Sequence, residues 1–408
     1  MRRALCLVLF AHAAFCLFGC GKEEAPAQDM GVDLGAEPDL SRSQDMAQDM
    51  AKDMARDVEM DVDASCMGRA CLYIPGFAFE DIREVDGLEI PSSFQDRQLP
   101  LVVRFPEDTT VPLPVVVWAH AGSWSRNGHK TNEAWSRRIA AAGYAVVHFA
   151  VVPPSEELLP EICSRAGLED ASRCDDVSLG NIDTEIDDPA DNPFSAITVV
   201  RPADGASVID ALPAIAARIE DRSGVKLDTT RVIVAGWSGG SQVSLQMAGA
   251  RRLAEDSTPP YHDPDERPLA FIALSPQGPG FSNFYAGEEG TSWDDITRPV
   301  MIMTGVGDEK PGNDLTGADR YAVYTHLPPG GKRLFYSTSE SNAIKHSTFN
   351  LTEFDSPDQD ASAISRALLS SVLAFLDAHA REDDRARAWL ESDAAVKISG
   401  DTLEWKSK

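Results

Sequence analysis

From Leu99 onward the chain repeats one pattern, a short and almost wholly apolar run followed by a stretch long enough for a helix. The runs are Leu101-Val102-Val103-Arg104-Phe105, Val115-Val116-Val117-Trp118-Ala119, Ala145 to Ala150, Val232 to Ala235, Ala270 to Leu274, Val300 to Met303, and Leu334-Phe335-Tyr336. Continuous apolar runs of this kind suit strands buried on both faces. Between them, Trp135 and Ile139 lie four apart in a segment that starts near Asn132 and closes at Gly143-Tyr144. Ala206 to Ile219 reads as a further helix, and Ala363 to Ala378 as an amphipathic one near the end. The alternation predicts an α/β fold, a mainly parallel central sheet with helices on both faces. Functional groups in such sheets gather at the carboxyl ends of the strands.

Composition sets the outer bounds. Of 408 residues, 43% are hydrophobic, ample for a large core, and the formal net charge is −28. So acidic a chain does not suit nucleic acid, which needs a basic face. The charge is unevenly spread. Residues 1–20 open on Arg2-Arg3 and continue in an apolar run to Phe18, too short to span a bilayer comfortably and suited to a secretory signal. The run ends in Leu17-Phe18-Gly19-Cys20, which resembles the lipobox of bacterial lipoproteins. That resemblance implies export, lipidation at Cys20 and residence in the cell envelope, on its periplasmic or outer surface, with membrane contact only through the anchor. Residues 21–65 follow as an acidic linker in which Asp45, Asp49, Asp53 and Asp57 recur every fourth position. Its 13 acidic and 4 basic residues between Lys22 and Ser65 give a net of −9, with little apolar matter to offset ordering, so a self-repelling tether is expected. About −21 remains for the larger portion, residues 66–408. Four cysteines fall there, and in an oxidising compartment their proximity predicts the pairs Cys66–Cys71 and Cys163–Cys174.

One strand end carries chemistry. After Val232 to Ala235 comes Gly236-Trp237-Ser238-Gly239-Gly240 and then a helix through Val243, Leu245 and Met247. G-x-S-x-G between a strand and a helix forms a nucleophile elbow. The turn strains the serine backbone, and side chains at 236 and 240 would collide with neighbouring segments. Ser238 then sits at a helix N-terminus with the Gly239 amide aimed at a developing oxyanion. A serine nucleophile needs a base, and the base an orienting acid, in the chain order Ser, Asp or Glu, His. Asp308 follows the run Val300 to Met303 through Thr304-Gly305-Val306-Gly307 and is the expected acid; Asp314 and Asp319 lie farther on, in what reads as a loop. His346, in the loop after Leu334 to Tyr336, is the expected base, since His326 precedes that strand and His379 ends a helix. The second oxyanion amide is expected from His120-Ala121-Gly122-Ser123-Trp124, at Ala121 or Gly122, with His120 bracing the loop.

From about Ile90 to Leu390, about three quarters of its length, the chain resembles the α/β-hydrolase superfamily. Within it the resemblance is to the dienelactone-hydrolase-like branch that includes chlorophyllase, platelet-activating-factor acetylhydrolase and polyester hydrolases. The residues that carry it are the His120–Trp124 loop, Arg201-Pro202-Ala203-Asp204, Gly236–Gly240, Met303–Asp308, Leu327–Lys332 and His346-Ser347-Thr348-Phe349. Ala374–Ala378 and Ala386–Leu390 belong to the same set. It implies a serine esterase acting on small-molecule or polymeric esters through Ser238, Asp308 and His346, without metal or organic cofactor. Dienelactone hydrolases proper use a cysteine where this chain has Ser238. An amidase or peptidase, or an inert lipid-tethered binding protein, are the other functions open to such a chain. The insertion at about 153–200 departs from the family pattern; it carries Cys163, Cys174 and an acidic run from Asp183 to Asp188, and is expected to overhang the site as a lid or wall. Its carboxylates read as a solvated face more readily than as a calcium site, lacking EF-hand spacing.

Overall fold

Residues two apart along a strand share a face, and this sets the layers. Val116 and Trp118 join one apolar cluster, while Val115 and Val117 join another; Ile233 and Ala235 divide in the same way from Val232 and Val234. The sheet between the clusters is therefore buried on both sides. In a computed structural model the described residues are 66–94, 97–167, 196–252, 261–281, 284–287, 290–309, 315–340, 344–354 and 361–408, all within one unit, Met60–Lys408. The expected signal and linker of residues 1–65, Cys174, the acidic run 183–188 and Asp314 lie outside them.

In chain order the main strands are β1 (Ile82–Pro91), β2 (Gln98–Pro106), β3 (Leu113–Ala119), β4 (Ala145–Phe149), β5 (Leu227–Trp237) and β6 (Ala270–Leu274). A small hairpin, β7 (Ala286–Gly287) and β8 (Gly290–Thr291), precedes β9 (Val300–Gly305), β10 (Lys332–Ser337) and β11 (Leu403–Ser407). Nine of them form one sheet in the order β1-β2-β4-β3-β5-β6-β9-β10-β11. Pairing from β4 through β10 is parallel, and the flanking pairs β1–β2, β2–β4 and β10–β11 are antiparallel. The expected α/β architecture, a mainly parallel sheet with helices on both faces, is what forms. Trp135 and Ile139 of α1 (Glu133–Ala141) cover one face together with α6 (Ala363–Ala380), α7 (Asp384–Glu391) and α8 (Ala394–Ser399). The other face is covered by α3 (Ile197–Ser223), α4 (Gly239–Ala248) and α5 (Gly317–His326). A short helix, α2 (Leu159–Arg165), opens the insertion.

Several boundaries differ from the expectation. The helix expected over 206–219 spans Ile197–Ser223 and includes Pro202 and Pro213. Pro202 has no N–H to give the carbonyl four residues back, and that carbonyl, on Thr198, instead accepts from Gln246 Nε2 of α4 at 2.8 Å. A tertiary hydrogen bond thus offsets the cost that makes proline read as a helix stop. Asp319, expected in a loop, caps α5, accepting from the Thr316 amide at 2.8 Å. The edge strands β1 and β11 have half-polar burial patterns, the signature of strands with one wet face, and escape a search for apolar runs.

The Cys66–Cys71 disulfide forms as expected, with Cα atoms 5.3 Å apart. The segment around it is sewn to the C-terminal helices: Trp389 Nε1 donates to the Cys71 carbonyl at 2.8 Å, and the Tyr73 hydroxyl donates to Asp377 at 2.7 Å. Asp377, buried in α6, also accepts from Tyr144 at 2.5 Å and pairs with Arg381 at 3.2 Å. Burial and the Asp377 charge push both tyrosine hydroxyls well above their ordinary titration range, so they remain donors. Asp377→Ala leaves two buried hydroxyls without their acceptor and Arg381 without its carboxylate partner, holding only the Ala142 and Gly143 carbonyls. Equilibrium denaturation should show a loss of about 3–5 kcal/mol; a loss under 1 kcal/mol would mean the network is not coupled to global stability.

Candidate active site

The Gly236–Gly240 turn joins β5 to α4 at the carboxyl edge of the sheet. Ser238 holds φ 52° and ψ −120°, a conformation that costs a non-glycine residue about 1–3 kcal/mol. It is fixed from both sides, its amide donating to the Leu274 carbonyl and its own carbonyl accepting from the Ser241 amide, each at 2.9 Å. The glycines around it are steric necessities. A Cβ at Gly236 would stand 2.1 Å from the Gly240 carbonyl oxygen, one at Gly240 2.1 Å from that of Ala119, and one at Gly239 2.3 Å from that of Gly122. The collisions expected at 236 and 240 are real, and Gly239 adds a third.

Ser238, His346 and Asp308 come together from three strand ends. His346 Nε2 lies 3.1 Å from Ser238 Oγ, and His346 Nδ1 lies 3.0 Å from Asp308 Oδ1. Asp308 is fully buried while the imidazole keeps an exposed edge, its side chain 15% accessible. The carboxylate is held on every side: Thr304 Oγ1 donates to Oδ2 at 2.8 Å, Ser275 Oγ donates to Oδ1 at 2.9 Å, and Arg320 Nε of α5 stands 3.4 Å from Oδ1. Arg320 also donates to the carbonyls of Asp308, Ser275 and Pro276 at 2.9 to 3.1 Å. His346 begins a single turn, His346–Asn350, that is tied to α1. There Trp135 Nε1 donates to the Phe349 carbonyl at 2.6 Å, and Asn132 Nδ2 to Asn350 at 3.0 Å. The Trp237 ring tilts against the imidazole with centroids 5.3 Å apart.

The loop after β3 lies beside this group. His120 braces it as expected: Nδ1 donates to the Ala121 carbonyl at 2.7 Å, and Nε2 accepts from the Val151 amide at 3.1 Å. Its proton affinity is pushed down to about 3, by burial first and by the Arg201 charge second, so the ring stays neutral. Arg201, fully buried in α3, donates through Nη2 to the His120 carbonyl and through Nη1 to that of Gly122, both at 2.6 Å. A trans peptide points its N–H opposite its C=O. With the Ala121 carbonyl held by the buried His120 ring, the Gly122 N–H faces away from that ring, on the exposed side of the loop. Gly122 meets this demand at φ 76°, where a side chain would be strained.

Cys163 is disulfide-bonded, and Cys174, its expected partner, lies outside the described residues. The described start of the insertion packs into a third apolar cluster with Phe94, Ile162, Val199, Val200 and Tyr261, against which Trp124 rests. Arg165 lies over the Phe94 ring at 4.1 Å. The side chains unassigned by sequence are Arg201, Ser275, Thr304 and Arg320. Arg201 and Thr304 lie in the sequence motifs Arg201–Asp204 and Met303–Asp308; Ser275 and Arg320 are recognisable only once the strand ends are aligned. Among the described residues no group of three or more His, Cys, Asp or Glu is placed to hold a metal. Comparison with known proteins finds no matching family model and no curated protein with significant sequence similarity.

Burial also leaves a pH signature. His148 of β4 is fully buried with neither ring nitrogen hydrogen-bonded among the described residues, and burial drives its proton affinity far down; His379 is pushed down to about 4 by burial. Histidines with affinity lowered in the fold bind protons more readily in the unfolded chain. Stability should therefore be complete above about pH 6.5 and fall, as pH drops below it, by about 1.4 kcal/mol per pH unit for each such histidine. Denaturation between pH 7.5 and 4.5 checks this, and His148→Phe should flatten the slope.

Proposed function

We propose that the chain is a serine hydrolase of carboxylic esters built on the α/β-hydrolase fold. One observation carries the reading: the continuous hydrogen-bonded chain Ser238–His346–Asp308, with its serine strained on a strand-to-helix turn at the carboxyl edge of a parallel sheet. The order Ser, Asp, His, and a loop after β3 abutting the elbow, support the same assignment. His346 Nε2 takes the Ser238 proton as Oγ attacks the ester carbonyl, while Asp308 keeps Nδ1–H in place and stabilises the imidazolium. The tetrahedral oxyanion is met by the Gly239 amide at the N-terminus of α4 and, as second donor, by Gly122 rather than Ala121. No described hydrogen bond uses either amide. His346 returns the proton to the leaving alcohol, and water then releases the acyl group by the same steps. The residues named form a complete apparatus for this chemistry from protein groups alone. The same reading extends to location: an exported, lipid-anchored enzyme, for which the Cys66–Cys71 disulfide is suited.

The test is a panel of p-nitrophenyl esters against matched anilides. Turnover of esters should fall by about 10³-fold or more in Ser238→Ala, and by about 10⁴-fold in Asp308→Asn if the imidazole tautomer matters as it does in other triads. Anilides cleaved as readily as esters would move the assignment to amide bonds, and a folded chain inert to both would leave a binding protein. Arg201 acts here by positioning the oxyanion loop. Arg201→Lys replaces the two-nitrogen fork by a single nitrogen and loosens the loop, so kcat should fall about 10- to 100-fold with KM little changed, no more than the loss of one oxyanion donor.

A further inference from the structure

Ser275 repeats, one strand over, what Ser238 does. Each is the first residue after its strand, β5 or β6, and each is a non-glycine residue with φ near 50°. Each amide donates to a carbonyl of the next strand in the sheet, Ser238 to Leu274 at 2.9 Å and Ser275 to Met303 at 2.8 Å. The side chains part company at the imidazole. Ser238 Oγ sits on Nε2, whereas Ser275 Oγ lies 2.9 Å from Nδ1 and donates to Asp308 Oδ1 at 2.9 Å. Oγ, Nδ1 and Oδ1 thus form a closed triangle, and Ser275 is buried.

We propose that Ser275 is a positioning residue for the His346–Asp308 pair, and that its backbone is held in a costly conformation so that its hydroxyl can fill this triangle. The inference rests on the serine-hydrolase reading for its catalytic consequence, though not for its effect on the ring. With its proton given to Asp308, Ser275 Oγ offers only lone pairs to Nδ1, so the nitrogen facing it must carry hydrogen. That fixes the neutral tautomer with Nε2 free to accept from Ser238. The hydroxyl also withdraws part of the Asp308 charge from the imidazolium, at the oxygen that faces the ring, adding to what Thr304 draws on Oδ2 and Arg320 on Oδ1. Among the described residues the charged groups that reach the ring are Asp308 and, through it, Arg320; Trp237 covers one side and Ser238 the outer nitrogen. A strained non-glycine residue is retained where a glycine would relax the backbone, and only the side chain gives a reason for that.

Two variants separate hydroxyl from backbone. Ser275→Ala and Ser275→Gly both remove the hydroxyl, but only glycine relieves the positive φ, so melting temperature should be higher in the glycine variant. Activity should not follow stability: kcat for p-nitrophenyl acetate should fall about tenfold or more in both, the worth of a hydrogen bond to a charged group. In ¹⁵N-histidine spectra of the full chain, His346 should be the Nδ1–H tautomer in the parent and should titrate at higher pH in both variants, as Asp308 recovers its undivided charge. Kinetics within twofold of the parent together with an unmoved His346 titration would overturn the proposal, as would losses that track melting temperature. If the parent shows no Ser238-dependent turnover, the hydrolase reading fails, while the histidine titration still decides the role of Ser275.

Discussion

Backbone meets backbone at residues 236–240 more closely than any side chain would permit. There the N-terminus of α4 packs against the end of β3, and three missing Cβ atoms leave room for the carbonyl oxygens of Ala119, Gly122 and Gly240. That proximity sets the Gly239 amide beside the loop at 120–122, and Arg201 locks the loop by two of its carbonyls. A methyl at Gly239 would also come within 2.4 Å of Arg201 Nη1, so the guanidinium, the loop and the elbow are fitted to one another. Strain at Ser238 is tolerable because its amide and carbonyl are both bonded on either side of it. The site is the place where the fold spends its local stability.

The polar groups beneath it follow from burial. A carboxylate with no exposed surface must be paired and hydrogen-bonded or take up a proton. Asp308 meets that demand with Thr304 at the end of its own strand, Arg320 of the following helix, and Ser275 and His346 from beyond the neighbouring strands. The acid is thereby held in one orientation, and the imidazole inherits it. Trp135 supplies the remaining constraint from the opposite side of the sheet, by fixing the turn that begins at His346.

Much of this was legible in the sequence because it depends on local signals. Apolar runs disclose strands buried on both faces, and glycines flanking a serine between strand and helix disclose the elbow. Asp308 and His346 could be placed because each follows a readable strand. Long-range compensation stays hidden. Pro202 reads as a stop until Gln246 is found on the carbonyl it leaves free. Half-polar edge strands such as β11 lack a pattern strong enough to compete with loops, and their pairing to β10 is decided by the sheet. Ser275 is one of many serines until the register of β6 against β9 sets it over Asp308. The surface charge is the reverse case, readable from composition alone, and an anionic surface favours neutral or cationic ligands over anionic ones.

The claim on which the rest turns is that Ser238 is a nucleophile made reactive by His346 and Asp308. Treatment of the folded chain with a fluorophosphonate probe, followed by intact-mass and peptide mass spectrometry, tests it without knowledge of the natural ester. A single adduct on Ser238, lost in Ser238→Ala and formed far more slowly in Asp308→Asn, is the expected result. An unlabelled Ser238 in a folded chain, or an adduct on another serine at equal rate, would contradict it.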